Sequence, residues 1–293
     1  SIEYIVGNGI DITERKRAEQ RLIAQHSVTR VLASATLNDA MPKILQAICE
    51  SLGWELGEFW SVKQHSVLHC AQTWHLPEFE VQEFEALTEQ MTFAPDVGLP
   101  GRIWASGEPI WIADVVENPN FRRGKIAAQI GLHAAFGFPI RCNGEILGVF
   151  IFFSREIQQL DVDLLQMMAA IGSQIGQFIK RKQAEAALFE SEERFKTFMN
   201  NSPVMAFIKD EEGRYIYANE PLQRTFNIKF ADLQGKTDFD WMPEAVAQPL
   251  RENDIAVLAT GKTTELLEIV PTADGYPHYW LVFKFPIKEV SGR

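Results

Sequence analysis

Cysteine is scarce in this chain: Cys49, Cys70 and Cys142 are all there is in 293 residues, and none follows position 142. An odd, unclustered set of this size predicts neither a disulfide framework nor a zinc site. Positive charge is short as well, with 28 Lys and Arg against 39 Asp and Glu and a formal net charge of -11. That balance argues against nucleic acid or an anionic membrane surface as partner. Long apolar runs are also missing. The most apolar long window, residues 164–179, is broken by Gln166, Ser173, Gln174 and Gln177. It falls short of the roughly 20 residues that span a bilayer. No basic segment followed by an apolar one opens the chain, so no signal peptide is expected and a cytoplasmic location is predicted.

Catalytic signatures are missing too. None of the six histidines stands in a His-Glu phospho-acceptor box; His26, in Gln25-His26-Ser27, lies on a helix without one. Gly7-Asn8-Gly9 lacks the third glycine and the helix start of a dinucleotide fingerprint. No paired carboxylates and no metal-ligand spacing stand out. The expectation is a chain stretch that performs no chemistry and holds no metal.

What is present is a repeat. Arg15-Lys16-Arg17-Ala18-Glu19, with Leu22, returns as Arg181-Lys182-Gln183-Ala184-Glu185, with Leu188. Recurrence at domain-scale spacing marks a connector between modules, not a solenoid. With 46% hydrophobic residues the chain can bury a core in each of about two domains.

The pattern predicts a strand over 2–12 and helices over 14–36 and 38–53, the second capped by Asn38 or Asp39. Strands follow at 54–62 and 66–74, an acidic helix at 77–91, a helical turn from Gly98 to Gly107, a strand at 109–115 and a helix at 121–130. Residues 134–141 and 145–154 read as a hairpin around Asn143-Gly144, the dipeptide suited to a type I′ turn. Asp161 starts a helix running unbroken to about Asn200. Beyond Ser202-Pro203 come strands at 204–209 and 214–218, short helices to 259, and strands at 263–270 and 278–286, forming a compact second sheet. The fold class is α+β.

These residues resemble known families. Ile10-Asp11-Ile12-Thr13 is similar to the end of a PAS domain. Residues 27–183, with "GLPGRIWASGEPIWIADV" and "GLHAAFGFPI", resemble a GAF domain of bacterial, particularly cyanobacterial, sensor proteins. "SEERFKTFMNNSPVMAFIKDEEGRYIYAN" resembles a second PAS domain. The resemblance covers nearly the whole chain and implies a division into 1–13 (a last PAS strand), 14–36 (linker helix), 27–183 (GAF), 161–200 (connector helix) and 190–293 (PAS without its last strand). It implies a sensory and relay module of a sensor histidine kinase or diguanylate cyclase in a two-component-type pathway. The alternatives are a ligand-free dimerisation scaffold or a small-molecule enzyme on a GAF fold. The missing strand predicts an open sheet, tolerated as it is or filled by residues 2–10 of another chain.

Leu164, Met168, Ile171, Ile175, Phe178 and Lys182 alternate four and three apart, a heptad seam. It predicts a homodimer through parallel coiled connector helices, a stripe packed on the domain's own sheet, or both. For ligands, the candidates are Trp104, Trp111, His133, Phe136 and Phe138 in the first domain and Phe207, Asn219, Trp241 and Trp280 in the second. Aromatics at strand spacing are as a rule core, and a lone histidine is as a rule structural. The absence of a thiol between Cys70 and Cys142, where Arg122 and Arg123 stand instead, argues against covalent bilin. The absence of any after Cys142 argues against a cysteinyl-flavin adduct.

Overall fold

A computed structural model describes residues 10–63 and 67–287. The strand expected over 2–12 lies almost wholly outside them, and so does any exchange of residues 2–10. The described remainder, Ile10 to Ile12, has no regular structure. The chain divides into two compact units, residues 1–186 and 187–293.

The first unit begins with α1 (Thr13–Ser34) and α2 (Leu37–Leu52). The cap of α2 is Thr36, whose hydroxyl accepts from the Asp39 N–H at 3.4 Å, not Asn38 or Asp39; those two lie inside the first turn. Strands β1 (Leu56–Lys63) and β2 (Val67–His75) precede α3 (Gln82–Gln90), shorter than the helix expected from Pro77. Then come β3 (Thr92–Phe93), α4 (Gly98–Ser106), β4 (Ile110–Ile112), α5 (Gly124–Gln129), β5 (Ala134–Cys142) and β6 (Glu145–Ser154). Phe121, Arg122 and Arg123, expected in a helix, sit in turns ahead of α5.

The sheet runs β3-β2-β1-β6-β5-β4, antiparallel throughout. Asn143 and Gly144 turn between β5 and β6 with φ of 51° and 82°, the double left-handed geometry of a type I′ turn. Both faces of this sheet are covered, which explains why β5 is an almost unbroken apolar run. Phe136, Phe138, Phe150 and Phe152 point to α1, α2 and α6, whereas Ala135, Val149, Ile151 and Phe153 point to the other face.

Helix α6 (Val162–Asn201) is one helix of 40 residues. Leu164, Met168, Ile171, Ile175 and Phe178 are buried in the core they share with Phe138 and Phe150. Gly172 and Gly176 let the helix lie directly on β5: an added Cβ would stand 2.2 Å from the carbonyl oxygens of Pro139 and Arg141. Of the alternatives for this seam, packing on the domain's own sheet is the one this structure shows. Lys182, the sixth position, is half-buried and meets Glu185 at 2.8 Å. Past it the helix is exposed on all sides to Phe198. There Arg194 pairs with Glu190 at 2.6 Å and Lys196 with Glu193 at 3.1 Å.

The second unit contains β7 (Phe207–Lys209), β8 (Tyr215–Ala218), α7 (Glu220–Phe226), α8 (Phe230–Leu233), α9 (Glu244–Thr260), β9 (Thr264–Pro271) and β10 (Pro277–Lys284). The helix expected to be short, α9, has 17 residues. Among the described residues the strands form two separate hairpins, β7-β8 and β9-β10, not one sheet. Charge links them instead. Lys209 of β7 and Lys284 of β10 both reach Asp254 on α9, at 3.2 and 2.7 Å.

Candidate functional site

Strand β1 carries one acid in an otherwise apolar stretch. The two-residue period puts Glu58 on the same face as Leu56 and Trp60, beneath α3 and the turns before α5. Glu58 is 0% exposed and Arg123 2% exposed. Arg123 donates from Nη1 to Glu58 Oε1 and, at 2.6 Å, to Thr88 Oγ1. Its Nη2 donates to Glu58 Oε2 at 2.9 Å. The indole of Trp60 donates to the same oxygen at 2.8 Å, and the Thr88 hydroxyl stands 3.5 Å from Oε1. The guanidinium carbon lies 4.4 Å from the ring centre of Phe84, 5.3 Å from Phe153, 5.5 Å from Phe121 and 5.7 Å from Trp60. This is a bidentate, fully desolvated ion pair inside an aromatic cage. Removing one partner from such a pair is far costlier than removing both, because it strands a buried charge.

The sequence-derived candidates do not gather there. Trp111, Phe136 and Phe138 belong to the opposite core, where Trp111 stacks on Phe136 at 5.6 Å and donates to the Gln158 carbonyl at 3.0 Å. Trp104 alone among them packs on the caged side. His133 sits at the end of the sheet, its Nδ1 3.1 Å from Asp114 Oδ1. One sheet separates the five, so they line no common pocket. Glu58, Thr88 and Arg123 were missed. A lone acid in an apolar strand was the available signal, but its partner is 65 residues away.

In the second unit Asn219 is fully buried and acts as a bracket. Its Oδ1 accepts from Ala206 and Leu222 N–H groups at 2.9 and 3.2 Å; its Nδ2 donates to Met199 and Val204 carbonyls at 3.0 and 2.8 Å. Phe207 contacts Tyr215, and Phe226 brings Trp241 and Trp280 together at 5.5 and 6.3 Å. Beside them lies a charge network. Lys209 meets Asp238 at 2.5 Å, Tyr215 donates its hydroxyl to Asp238 at 2.8 Å, and Lys284 meets Glu268 at 2.7 Å. Burial, then the Asp238 charge, pushes the Tyr215 hydroxyl far above its ordinary pKa. An open polar groove of about 570 Å³, lined by Lys196, Asn200, Glu220 and Arg224 among others, contains none of the predicted residues.

Burial also pushes the thiols of Cys49 and Cys70 well up, Glu55 and Glu58 respectively adding to it. Neither supplies a thiolate at neutral pH. Among the described residues no three His, Cys, Asp or Glu side chains form a metal-ligand set, and no helix is long and apolar enough to cross a membrane.

Comparison with known proteins places two family matches on these units. A GAF domain model matches residues 34–180, and a PAS fold model matches 199–293. The methyl sulfide methyltransferase-associated sensor of Methanosarcina acetivorans is 24% identical over 259 residues, 86% of this chain and 25% of that protein. The methanogenesis regulatory histidine kinase FilI of Methanothrix harundinacea is 32% identical over 69 residues, 24% of this chain and 8% of that one. The chain thus spans a quarter or less of the length of these curated relatives. A solved GAF domain from a phosphoenolpyruvate-protein phosphotransferase of Coxiella burnetii is 19% identical, covering 58% of this chain and 98% of that one at a TM-score of 0.49.

Proposed function

Since the chain belongs to the GAF domain family and carries a PAS fold behind that domain, we propose that it is the sensory and relay region of a longer signal-transducing protein. Relatives named as a sensor and a histidine kinase support a kinase-type output, with a diguanylate cyclase as the other output the sequence suggests. The observation that carries the relay is the division of α6. Its first half is part of the GAF core, and its second half is exposed over residues 183–198, where Phe195 rests one side of its ring on Tyr217 at 5.4 Å. That second half exposes Leu188 at 62%, Phe195 at 46% and Phe198 at 73%. The spacing of seven and then three is a heptad seam. Isolated helices of this length are marginal in water, so a partner helix is the natural source of stability.

The proposed relay is a parallel homodimer joined along 188–198, downstream of the seam read from sequence. A change in the GAF core shifts α6 where it lies on β5, and the joint passes this shift on as a change of helix packing. Two states of similar free energy suffice for such a switch. The test is sedimentation of the native chain and of the Leu188→Glu/Phe195→Glu variant. The native chain is expected as a dimer and the variant as a monomer with an unchanged GAF melting temperature. A native monomer at tens of micromolar sinks the proposal.

A further inference from the structure

We propose that the Glu58 cage is a receptor for a small organic cation of the guanidinium or substituted-ammonium class, and that Arg123 is its tethered occupant, displaced when the free cation binds. This rests on the sensory reading above and names the ligand class of its GAF site.

The two halves of the ion pair stand on unlike supports. Glu58 lies mid-strand in β1, paired to Thr73 of β2 on one side and Ile151 of β6 on the other. Trp60 shares that strand, Phe153 lies on β6, and Thr88 and Phe84 belong to α3. Arg123 instead ends an irregular stretch, residues 113–123, and precedes a helix of six residues. The fixed half is thus the anion with three of the four rings, Trp60, Phe84 and Phe153, while the cation and Phe121 are on a stretch without regular backbone.

Chemistry then selects the ligand. With Arg123 gone, Glu58 keeps two neutral neighbours, the Trp60 indole, which donates to it at 2.8 Å, and the Thr88 hydroxyl, which stands 3.5 Å away and donates to the Phe84 carbonyl at 2.7 Å. Neither neutralises its charge, so the open site requires a cation. An anion would face the Glu58 carboxylate. A planar or alkylated cation meets ring faces already holding a guanidinium at 4.4 to 5.7 Å. Exchanging Arg123 for such a cation leaves the buried net charge unchanged, and it frees the 113–123 stretch, which carries Phe121 and Val115 into the same core. The site thereby converts occupancy into movement of a segment against the sheet.

The experiment uses the full chain, with methylguanidinium as probe at concentrations far below denaturing ones, followed by calorimetry and thermal melting. Arg123→Ala is expected to bind the probe and melt at higher temperature with it, and Glu58→Gln in that background is expected to abolish both effects. The native chain is expected to bind at least about tenfold more weakly, because only the minor Arg123-out population is competent. Deuterium uptake over 113–123 should rise as the native chain is saturated. A folded Arg123→Ala variant that takes up no probe, or takes it up equally with Gln at 58, overturns the proposal. So does a native chain that takes up none. If Arg123→Ala folds only with the probe, the receptor is supported. If it does not fold even then, while Glu58→Leu/Arg123→Leu folds, the pair is purely structural and the proposal fails. Dimerisation is not read by any of these measurements, so failure here and failure of the relay are separable.

Discussion

Replacing Gly172 by alanine asks whether α6 is seated on β5 by backbone contact. In an ordinary helix interior this change stabilises by about 0.5–1 kcal/mol, since alanine loses less backbone entropy. Here the new Cβ would stand 2.2 Å from the Pro139 carbonyl oxygen, against the 3.4 Å of ordinary contact. The obstacle is main chain in a paired strand, so the helix must lift by about an ångström, and overpacking of that kind costs about 1–3 kcal/mol. The clash outweighs the propensity gain. A net loss of about 1–2 kcal/mol corresponds to a fall of about 2–8 °C in the melting temperature of a unit this size. Gly176→Ala meets the Arg141 carbonyl at the same 2.2 Å. Because one lift relieves both contacts, the double variant is expected to cost less than the sum of the two. Differential scanning fluorimetry, with exposed Gln174→Ala as a control that moves stability by less than about 0.5 kcal/mol, reads this directly. A Gly172→Ala chain melting at or above the native temperature refutes the seating of α6.

Further outcomes follow from the second unit. Asn219→Ala removes four hydrogen bonds from a buried bracket and is expected to cost about 2–4 kcal/mol, read as lost amide protection over 199–222. Lys209→Met leaves Asp238 buried with Tyr215 as its side-chain partner among the described residues, and the loss of one member of a buried pair is expected to cost about 3–5 kcal/mol in urea unfolding of this unit. Alkaline pH should destabilise the same unit. Burial lowers the Lys284 pKa, but its bonds to Asp254 and Glu268 outweigh that and leave it raised; burial and Asp238 raise that of Tyr215. Both groups bind protons more tightly when folded, so their contribution is complete below the ordinary values of 10.5 and 10.0 and is lost as pH climbs beyond them. Stability that is flat from pH 10 to 12 contradicts this.

Local geometry was largely legible in the sequence because its causes are local. Asn143-Gly144 specifies its turn through backbone freedom at two positions, and the continuous helix from Asp161 announces itself by periodicity over forty residues. What the periodicity could not say is which surface the stripe covers. The same residues, Leu164 to Phe178, suit a sheet or a partner helix, and the deciding feature is the pair of glycines that brings the helix onto β5. The cage was hidden for a related reason. Glu58 and Arg123 each look ordinary, and only the fold brings them into contact. Aromatic richness, by contrast, pointed to Trp111, Phe136 and Phe138, which fill the opposite face because aromatic area is what a covered sheet buries. In the second unit the sheet expected to be open is, among the described residues, two hairpins linked through Asp254, a role that no local pattern around that residue announces.

The relay through the exposed half of α6 is tested most directly by position-specific cross-linking. Single cysteines placed at Leu188, Glu190 and Phe195 are oxidised, with the three native cysteines replaced. Positions 188 and 195 lie on the proposed seam, and 190 lies about 200° around the helix from 188. The account predicts rapid disulfide-linked dimers at 188 and 195 and few at 190. Equal cross-linking at all three positions, or none at any, would contradict it.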